Sequence, residues 1–184
     1  DNPSDLQHWQ GFVIPGSNRN SVKTEIVDDK MQITISGRDT YAYLLYDGVD
    51  TEDVQIDVTA ENIGAFDNAI SVVCRYSEDE KGNATWYEFN ISSARLVTIF
   101  RYNKGYLLLD SGMSTELNYG LATNTYRVIC KQDWLILYIN GVEKVRIQDS
   151  WLKSGKVGLS VSAFYDLNVV VGFNEFTVSP PEPE

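Results

Sequence analysis

The residue types that most often carry chemistry are sparse in this chain and poorly grouped. Nucleophilic catalysis by serine or cysteine needs a base positioned beside the nucleophile. The single histidine, His8, lies in a polar N-terminal segment away from the alternating runs of the sequence, and it lacks the companions that a zinc site requires. Glycoside hydrolysis needs two carboxyl groups about 5–10 Å apart across the scissile bond. Glu78-Asp79-Glu80 falls in SEDEKGN, a turn sequence, so its carboxylates cannot share one strand face. No glycine-rich loop leads into a helix to cradle a phosphate. These residues predict no enzyme, and no catalytic residue is assigned.

Two other chemistries have residues to support them. The string Asp47-Gly48-Val49-Asp50-Thr51-Glu52-Asp53 reads as one turn carrying four carboxylates, those of Asp47, Asp50, Glu52 and Asp53, and Ca2+ prefers flexible, oxygen-rich loops. Its spacing differs from an EF-hand, and a plain acidic turn between strands is the favoured alternative. Carbohydrate binding needs aromatic surface beside hydrogen-bonding groups. The candidates are Arg75, Trp86, Tyr102, Asn103, Tyr165 and Asp166, with Tyr87, Tyr106 and Phe164 next to them. Trp86 and Glu88 share one face of a strand, and Tyr87 and Phe89 share the other. If Phe89 faces the core, Trp86 faces away from it, toward a concave sheet. The competing reading is that aromatic residues of a sandwich pack in the core and across strands. Tyr165 and Asp166, in the loop AFYDLN, are expected to be exposed.

The elements that must position these residues are strands. Val54-Gln55-Ile56-Asp57-Val58-Thr59-Ala60 alternates apolar and polar residues without a break, the mark of a half-buried strand. Similar runs cover residues 31–36, 41–46, 69–76, 85–91, 96–102, 106–110, 126–131, 135–140, 142–147, 157–163 and 169–178. They are rich in the β-branched and aromatic residues that suit a pleated surface. Only Gln148–Lys153 reads as a short helical turn. Asn140-Gly141 is the strongest hairpin signal, because a type I′ turn needs positive φ at both central residues. Asn103-Lys104-Gly105, Asp47-Gly48 and Gln132-Asp133 are further turn sites. About twelve short antiparallel strands without helices predict an all-β fold, a two-sheet antiparallel sandwich. Residues 1–21 lead into the sandwich, 22–178 form it, and the Pro-rich acidic 179–184 reads as an extended linker or tail.

The bulk properties narrow the partners. The 184 residues carry a formal charge of −11, which argues against nucleic acid and anionic membranes, since both need clustered Lys and Arg. No run of 18 apolar residues is present to insert in a membrane, and the polar 1–10 is not a signal peptide. Cys74 and Cys130 each share a strand face with apolar residues, which fits a core disulfide or two small buried hydrophobes. A bridge would close a loop of about 57 residues, worth roughly 4 kcal/mol in the chain-entropy view. Asn83-Ala-Thr and Asn90-Ile-Ser are glycosylation sequons, meaningful only in a eukaryotic secretory pathway.

The stretch TYRVICKQDWLILYINGVEKVRIQDSWLKSGKVGLSVSAF, followed by VGFNEFTV, resembles the concanavalin A-like lectin/glucanase jelly rolls. More narrowly, it looks like bacterial surface domains of the 3-keto-disaccharide hydrolase-like type. The matching elements are a Cys-bearing strand (Cys130), Trp134–Tyr138 ending in Asn140-Gly141, Asp149, the strand Gly155–Leu159, and Phe173-Asn174-Glu175-Phe176. Upstream, Cys74-Arg75-Tyr76 and Trp86-Tyr87-Glu88-Phe89 look like the paired strands of such domains. The resemblance covers about residues 22–178. It implies a jelly-roll sandwich, a Cys74–Cys130 disulfide and a secreted or cell-surface location, with Ca2+ as the cofactor common in the superfamily. The glucanase signature Glu-x-Asp-x-x-Glu is absent from every strand. The expected function is thus a non-catalytic extracellular module, either structural or adhesive, contacting a neighbouring surface protein or its own copies as a homo-oligomer or filament, or glycan-binding on its concave sheet. A glycoside hydrolase is the third reading.

Overall fold

The period-two pattern is realised as strands that send their apolar residues to one side. A computed structural model describes residues 6–182, so residues 1–5 and 183–184, the ends of the expected leading segment and tail, lie outside the described residues. Among the described residues there are fourteen strands, two 3-10 turns (Leu6–His8 and Arg19–Ser21) and no α-helix. The first sheet has the order β1 (Trp9–Val13), β4 (Thr40–Thr51), β13 (Gly155–Ala163), β6 (Asn68–Glu78), β7 (Ala84–Ser92), β8 (Leu96–Asn103), β9 (Tyr106–Met113). The second has the order β12 (Val142–Gln148), β11 (Trp134–Ile139), β10 (Thr123–Lys131), β5 (Val54–Asn62), β14 (Val169–Ser179), β3 (Lys30–Ile35), β2 (Val22–Val27). Every pairing is antiparallel, and the fold is an all-β, two-sheet jelly-roll sandwich.

The core lies between the sheets. Ile70, Val72 and Cys74 of β6, Tyr87, Phe89 and Ile91 of β7, and Val157, Leu159 and Val161 of β13 meet Ile56 and Val58 of β5, Val128 and Cys130 of β10, and Phe173 and Phe176 of β14. Cys74 and Cys130 form a disulfide between the sheets, with Cα atoms 6.8 Å apart. Next to it the chain departs from regular β geometry. Arg75 has φ +55°, the β6–β7 register shifts between Cys74 and Ser77, and the Arg75 side chain stays inside at 1% exposure. Its guanidinium donates to three backbone carbonyls from separate loops: Glu52 at 3.0 Å, Leu152 at 2.8 Å and Gln132 at 2.7 Å. Gly155 sits against this corner with φ +147°, where a Cβ would collide with the Tyr76 carbonyl.

Several sequence expectations change. The N-terminal segment does more than lead in, because Trp9–Val13 pairs with β4 as an edge strand and Trp9 enters the core. Val22–Val27 is also a strand, so the count exceeds the expected twelve. Asp47-Gly48 is no turn. It lies within β4, where three extra residues bulge opposite the Lys156–Val157 step. Residues 149–154 form an irregular loop and no helical turn. Asn140 and Gly141 both have positive φ, +49° and +82°, as a type I′ hairpin requires.

Arg75→Ala should lower stability by about 3 kcal/mol or more, because three carbonyls lose a charged donor. Removing the bridge by Cys74→Ala with Cys130→Ala should cost about 4 kcal/mol. Urea denaturation checks both. An Arg75→Ala midpoint equal to wild type would mean that the three loops do not depend on the guanidinium.

Candidate functional site

Large side chains cover both faces of the first sheet. On its outer face, away from the core, the middle of the central strand β13 presents Gly158, Ser160 and Ser162. Rings from the flanking strands lie over this low strip. Tyr43 from β4, Val73 from β6 and Trp86 from β7 form a second buried cluster, against which Phe12, Tyr76 and Tyr102 pack. Phe12 stacks on Tyr43 with centroids 4.9 Å apart, and Tyr102 stacks on Trp86 at 3.8 Å. Tyr106, from the next strand, meets Tyr102 edge-on at 5.0 Å. A cleft of about 310 Å³ opens here, floored by Phe12, Tyr76, Trp86 and Tyr102 and rimmed by Glu78, Asn83 and Lys104.

Glu88 lies beneath these rings with 2% of its surface exposed. Its carboxyl accepts from Ser71 Oγ at 2.8 Å, Tyr43 OH at 2.8 Å and Trp86 Nε1 at 3.0 Å. Burial pushes the carboxyl above its ordinary pKa, although these three donors and Asn90 pull the other way. The Tyr43 hydroxyl is also 2.6 Å from that of Tyr106, which links the buried group to a ring 43% exposed. With its oxygens taken up by donors, Glu88 fixes the rings that form the cleft and is not itself offered to a ligand.

The sequence-derived site residues are dispersed. Trp86 does face away from the core, but at 1% exposure it is the base of the cleft, covered by Tyr102. Tyr102 is half-buried on the cleft floor, and Asn103 is exposed at the neighbouring hairpin. Arg75 is on the wrong side for this role, buried at the loop corner described above. Tyr165, 79% exposed, and Asp166 belong to the opposite end of the sheet. There Asp166 accepts from the Asp67 backbone N–H at 3.0 Å, and the Tyr165 N–H donates to Asp67 at 3.0 Å. Tyr87 points into the core, and Tyr106 adjoins the cleft. Tyr43, Phe12, Tyr76 and Glu88 are site residues that the sequence reading did not select. The period-two pairing of Trp86 with Glu88 was the available signal for the last.

The expected calcium loop does not assemble. Asp47 pairs with Lys156 at 2.6 Å, and Asp53 accepts from the Gln132 N–H at 2.7 Å. Among the described residues no three His, Cys, Asp or Glu side chains gather where a metal ion could sit. The reason is the β4 bulge, which spreads Asp47, Asp50, Glu52 and Asp53 along a strand and its end instead of around one loop. Of the sequon residues, Asn83 donates to Asp79 at 2.7 Å in an exposed turn. Asn90 sits mid-strand with its amide donating to Ser71 at 2.9 Å.

No family model matches the chain, and no curated protein matches it in sequence. Solved structures share its fold. A Bacillus subtilis protein with a galectin-like fold is 12% identical, with a TM-score of 0.78 over 97% of this chain and 94% of its own. A carbohydrate-binding module from Bacillus subtilis is 13% identical, with a TM-score of 0.69 over 94% and 95%. A glycosidic hydrolase is 11% identical, with a TM-score of 0.70 over 97% and 92%.

The Glu88 environment generates a pH prediction. Its folded pKa is raised by burial, so the native state favours the protonated form. Its contribution is fully present below the ordinary carboxylate range and is lost as pH rises through the folded pKa. Glu88→Gln, which cannot ionise, should therefore gain stability relative to wild type as pH increases from 4 to 8. Paired urea titrations across that range measure the difference, and a difference constant with pH would show that the group titrates normally.

Proposed function

We propose that this domain is a non-catalytic carbohydrate-binding module, secreted or displayed at a cell surface, that holds glycans in the aromatic cleft of its first sheet. One observation carries the reading. Phe12, Tyr76 and Tyr102 present partly exposed rings beside the polar groups of Glu78, Asn83 and Lys104. Sugar rings offer apolar C–H faces edged by hydroxyls, and a few oriented polar groups around apolar walls is how small-ligand sites gain affinity and orientation. The shared fold supports the reading only at the level of architecture, since a carbohydrate-binding module and a glycosidic hydrolase both have it.

Against a hydrolase, the cleft lining carries one carboxyl, that of Glu78 on the rim, and Glu88 beneath it is enclosed by its donors, whereas hydrolysis needs two carboxyl groups facing the scissile bond. The inter-sheet disulfide suits an oxidising, extracytoplasmic compartment. Calcium has no assigned role.

A second reading, assembly with another copy or a neighbouring surface protein, rests on β9. It is one of the two edge strands of the first sheet, and Tyr106, Leu107, Leu108 and Met113 on it are 43–65% exposed. The edges of the second sheet instead carry charges, Lys23 and Glu25 on β2 and Glu143, Lys144 and Arg146 on β12, the usual guard against edge pairing.

Affinity electrophoresis against soluble neutral polysaccharides tests the binding reading. Wild type should be retarded by at least one of them, with or without EDTA, and Tyr102→Ala should weaken retardation about tenfold, as for a central aromatic contact. A folded wild-type protein retarded by none would remove the proposal. Light scattering that showed concentration-dependent dimers, abolished by Leu108→Lys, would then favour assembly.

A further inference from the structure

We infer that the outer face of the second sheet carries a docking groove for acidic, proline-containing segments, and that the chain's own Pro180–Glu182 occupies it. This face lies on the far side of the sandwich from the aromatic cleft, so its role is independent of glycan binding. The composition of 179–184 marks an extended tail, yet the structure keeps this segment on the sheet. Strand β14 stays paired with β5 as far as Ser179, which lies opposite Gln55. Beyond it Pro181 is half-buried while Pro180 and Glu182 on either side are exposed. Pro181 and Glu182 form one wall of a cleft of about 240 Å³ floored by β10 and β11. Each proline fixes its own φ and holds the residue before it in extended form. Ser179-Pro180-Pro181 is thereby confined to polyproline II geometry, with little entropy left to lose on docking.

The floor suits proline. Ile129 of β10 and Ile136 of β11 stand opposite one another. Their neighbours Val128, Cys130, Leu135 and Leu137 face the core, so alternation turns these two outward. Ile136 is only 4% exposed all the same. Tyr138, two residues further along the same face, adds a half-buried ring to the lining. Proline rings set on an apolar and aromatic floor are the basis on which polyproline II segments are recognised elsewhere.

Charge selects the acidic kind. Arg127, Lys131 and Arg146 line the cleft and no carboxylate of the sheet does, in a chain with 15 Lys and Arg against 26 Asp and Glu. Arg127 and Arg146 are paired sideways, with Asp57 at 2.6 Å and Glu143 at 2.7 Å. Lys131 has no carboxylate partner among the described residues, and its ammonium donates to the Glu182 carbonyl at 3.5 Å. A cation that is left unneutralised by the sheet favours an acidic segment and repels a basic one. The same features would accept an acidic proline-containing segment of a second chain once the chain's own is displaced.

The test begins with the 184-residue chain. Its Glu182 amide should be as ordered as strand backbone, with an NMR order parameter of ~0.85, and should fall below about 0.6 in Lys131→Glu. A chain ending at Ser179, which keeps every strand pairing, then leaves the groove open. Fluorescence anisotropy should show it binding the labelled peptide Ser-Pro-Pro-Glu-Pro-Glu. The 184-residue chain should bind that peptide about fivefold or more weakly, because its own segment competes at roughly millimolar effective concentration. Lys131→Glu in the shortened chain should weaken peptide binding about three- to tenfold, and the peptide Ser-Ala-Ala-Glu-Ala-Glu should bind more weakly by a similar factor. A mobile Glu182 in folded wild type, or equal peptide binding by the two chains, would overturn occupancy by the chain's own segment. No binding to the folded shortened chain would overturn the groove, and equal binding of the alanine peptide would overturn the preference for proline. Retardation by polysaccharides, and its loss in Tyr102→Ala, should be the same in both chains, so either reading can fail without the other.

Discussion

One end of the sandwich is organised by the way β6 leaves the core at Cys74. Up to that residue the strand alternates strictly, with Ile70, Val72 and Cys74 inward and Ser71 and Val73 outward. Arg75 then takes a left-handed backbone conformation and stays inside, so the phase of the strand slips by one. A slip of one residue moves every following side chain to the opposite face. Tyr76, which regular alternation would send inward, joins Trp86 on the outer face instead, with ring centroids 5.7 Å apart. The bulge thus does two things at once. It brings a guanidinium to three loop carbonyls that would otherwise be buried without a donor, and it completes the aromatic cleft.

The second consequence concerns what lies beneath the cleft. Rings as large as Tyr43 and Trp86 can meet edge-on over the outer face only if a strand beneath them carries small side chains, and β13 supplies Gly158, Ser160 and Ser162 there. Glu88 then ties the rings together through Tyr43 OH and Trp86 Nε1. Burying a carboxyl is unfavourable unless its oxygens are satisfied. Three donors satisfy this one, and they hold the aromatic surface in one arrangement before any ligand arrives. Such preorganisation lowers the ordering cost of binding, which links an interaction within the fold to the proposed role.

A second charged group works differently. Asp149, in the β12–β13 loop, accepts from the hydroxyl of Tyr87 and pairs with Arg101 at 2.9 Å. Burial acts to raise its pKa, but Tyr87, the Trp151 N–H and Arg101 outweigh this and hold the carboxyl below its usual range. The loop is thereby fastened to β7 and β8, and Trp151 is left stacked beside Arg101 at 4.8 Å. Here a carboxylate anchors a loop through a cation, whereas Glu88 orients rings with neutral donors alone.

Alternation and turn chemistry were legible in the residues, because both are local. Val54–Ala60 could only be a half-buried strand, and Asn140-Gly141 could only close a tight hairpin. The same parity placed Trp86 and Glu88 together, opposite Tyr87 and Phe89, as they are found. Parity fails wherever a bulge shifts the phase, and bulges are set by distant partners. Arg75 reads as a ligand contact because nothing near it in sequence shows that carbonyls from Glu52, Gln132 and Leu152 converge on it. Asp47–Asp53 was read as a loop because Asp-Gly is a turn signal, yet pairing with β13 keeps it in a strand. Trp9–Val13 has too short a pattern to announce itself, and it becomes a strand only because β4 offers an edge. The sequence by itself therefore determined the strands, the hairpins and which residues share a face within an unbroken run. Tertiary structure alone decided which face is covered and by what, since that depends on contacts between residues far apart in the chain, which no local pattern encodes.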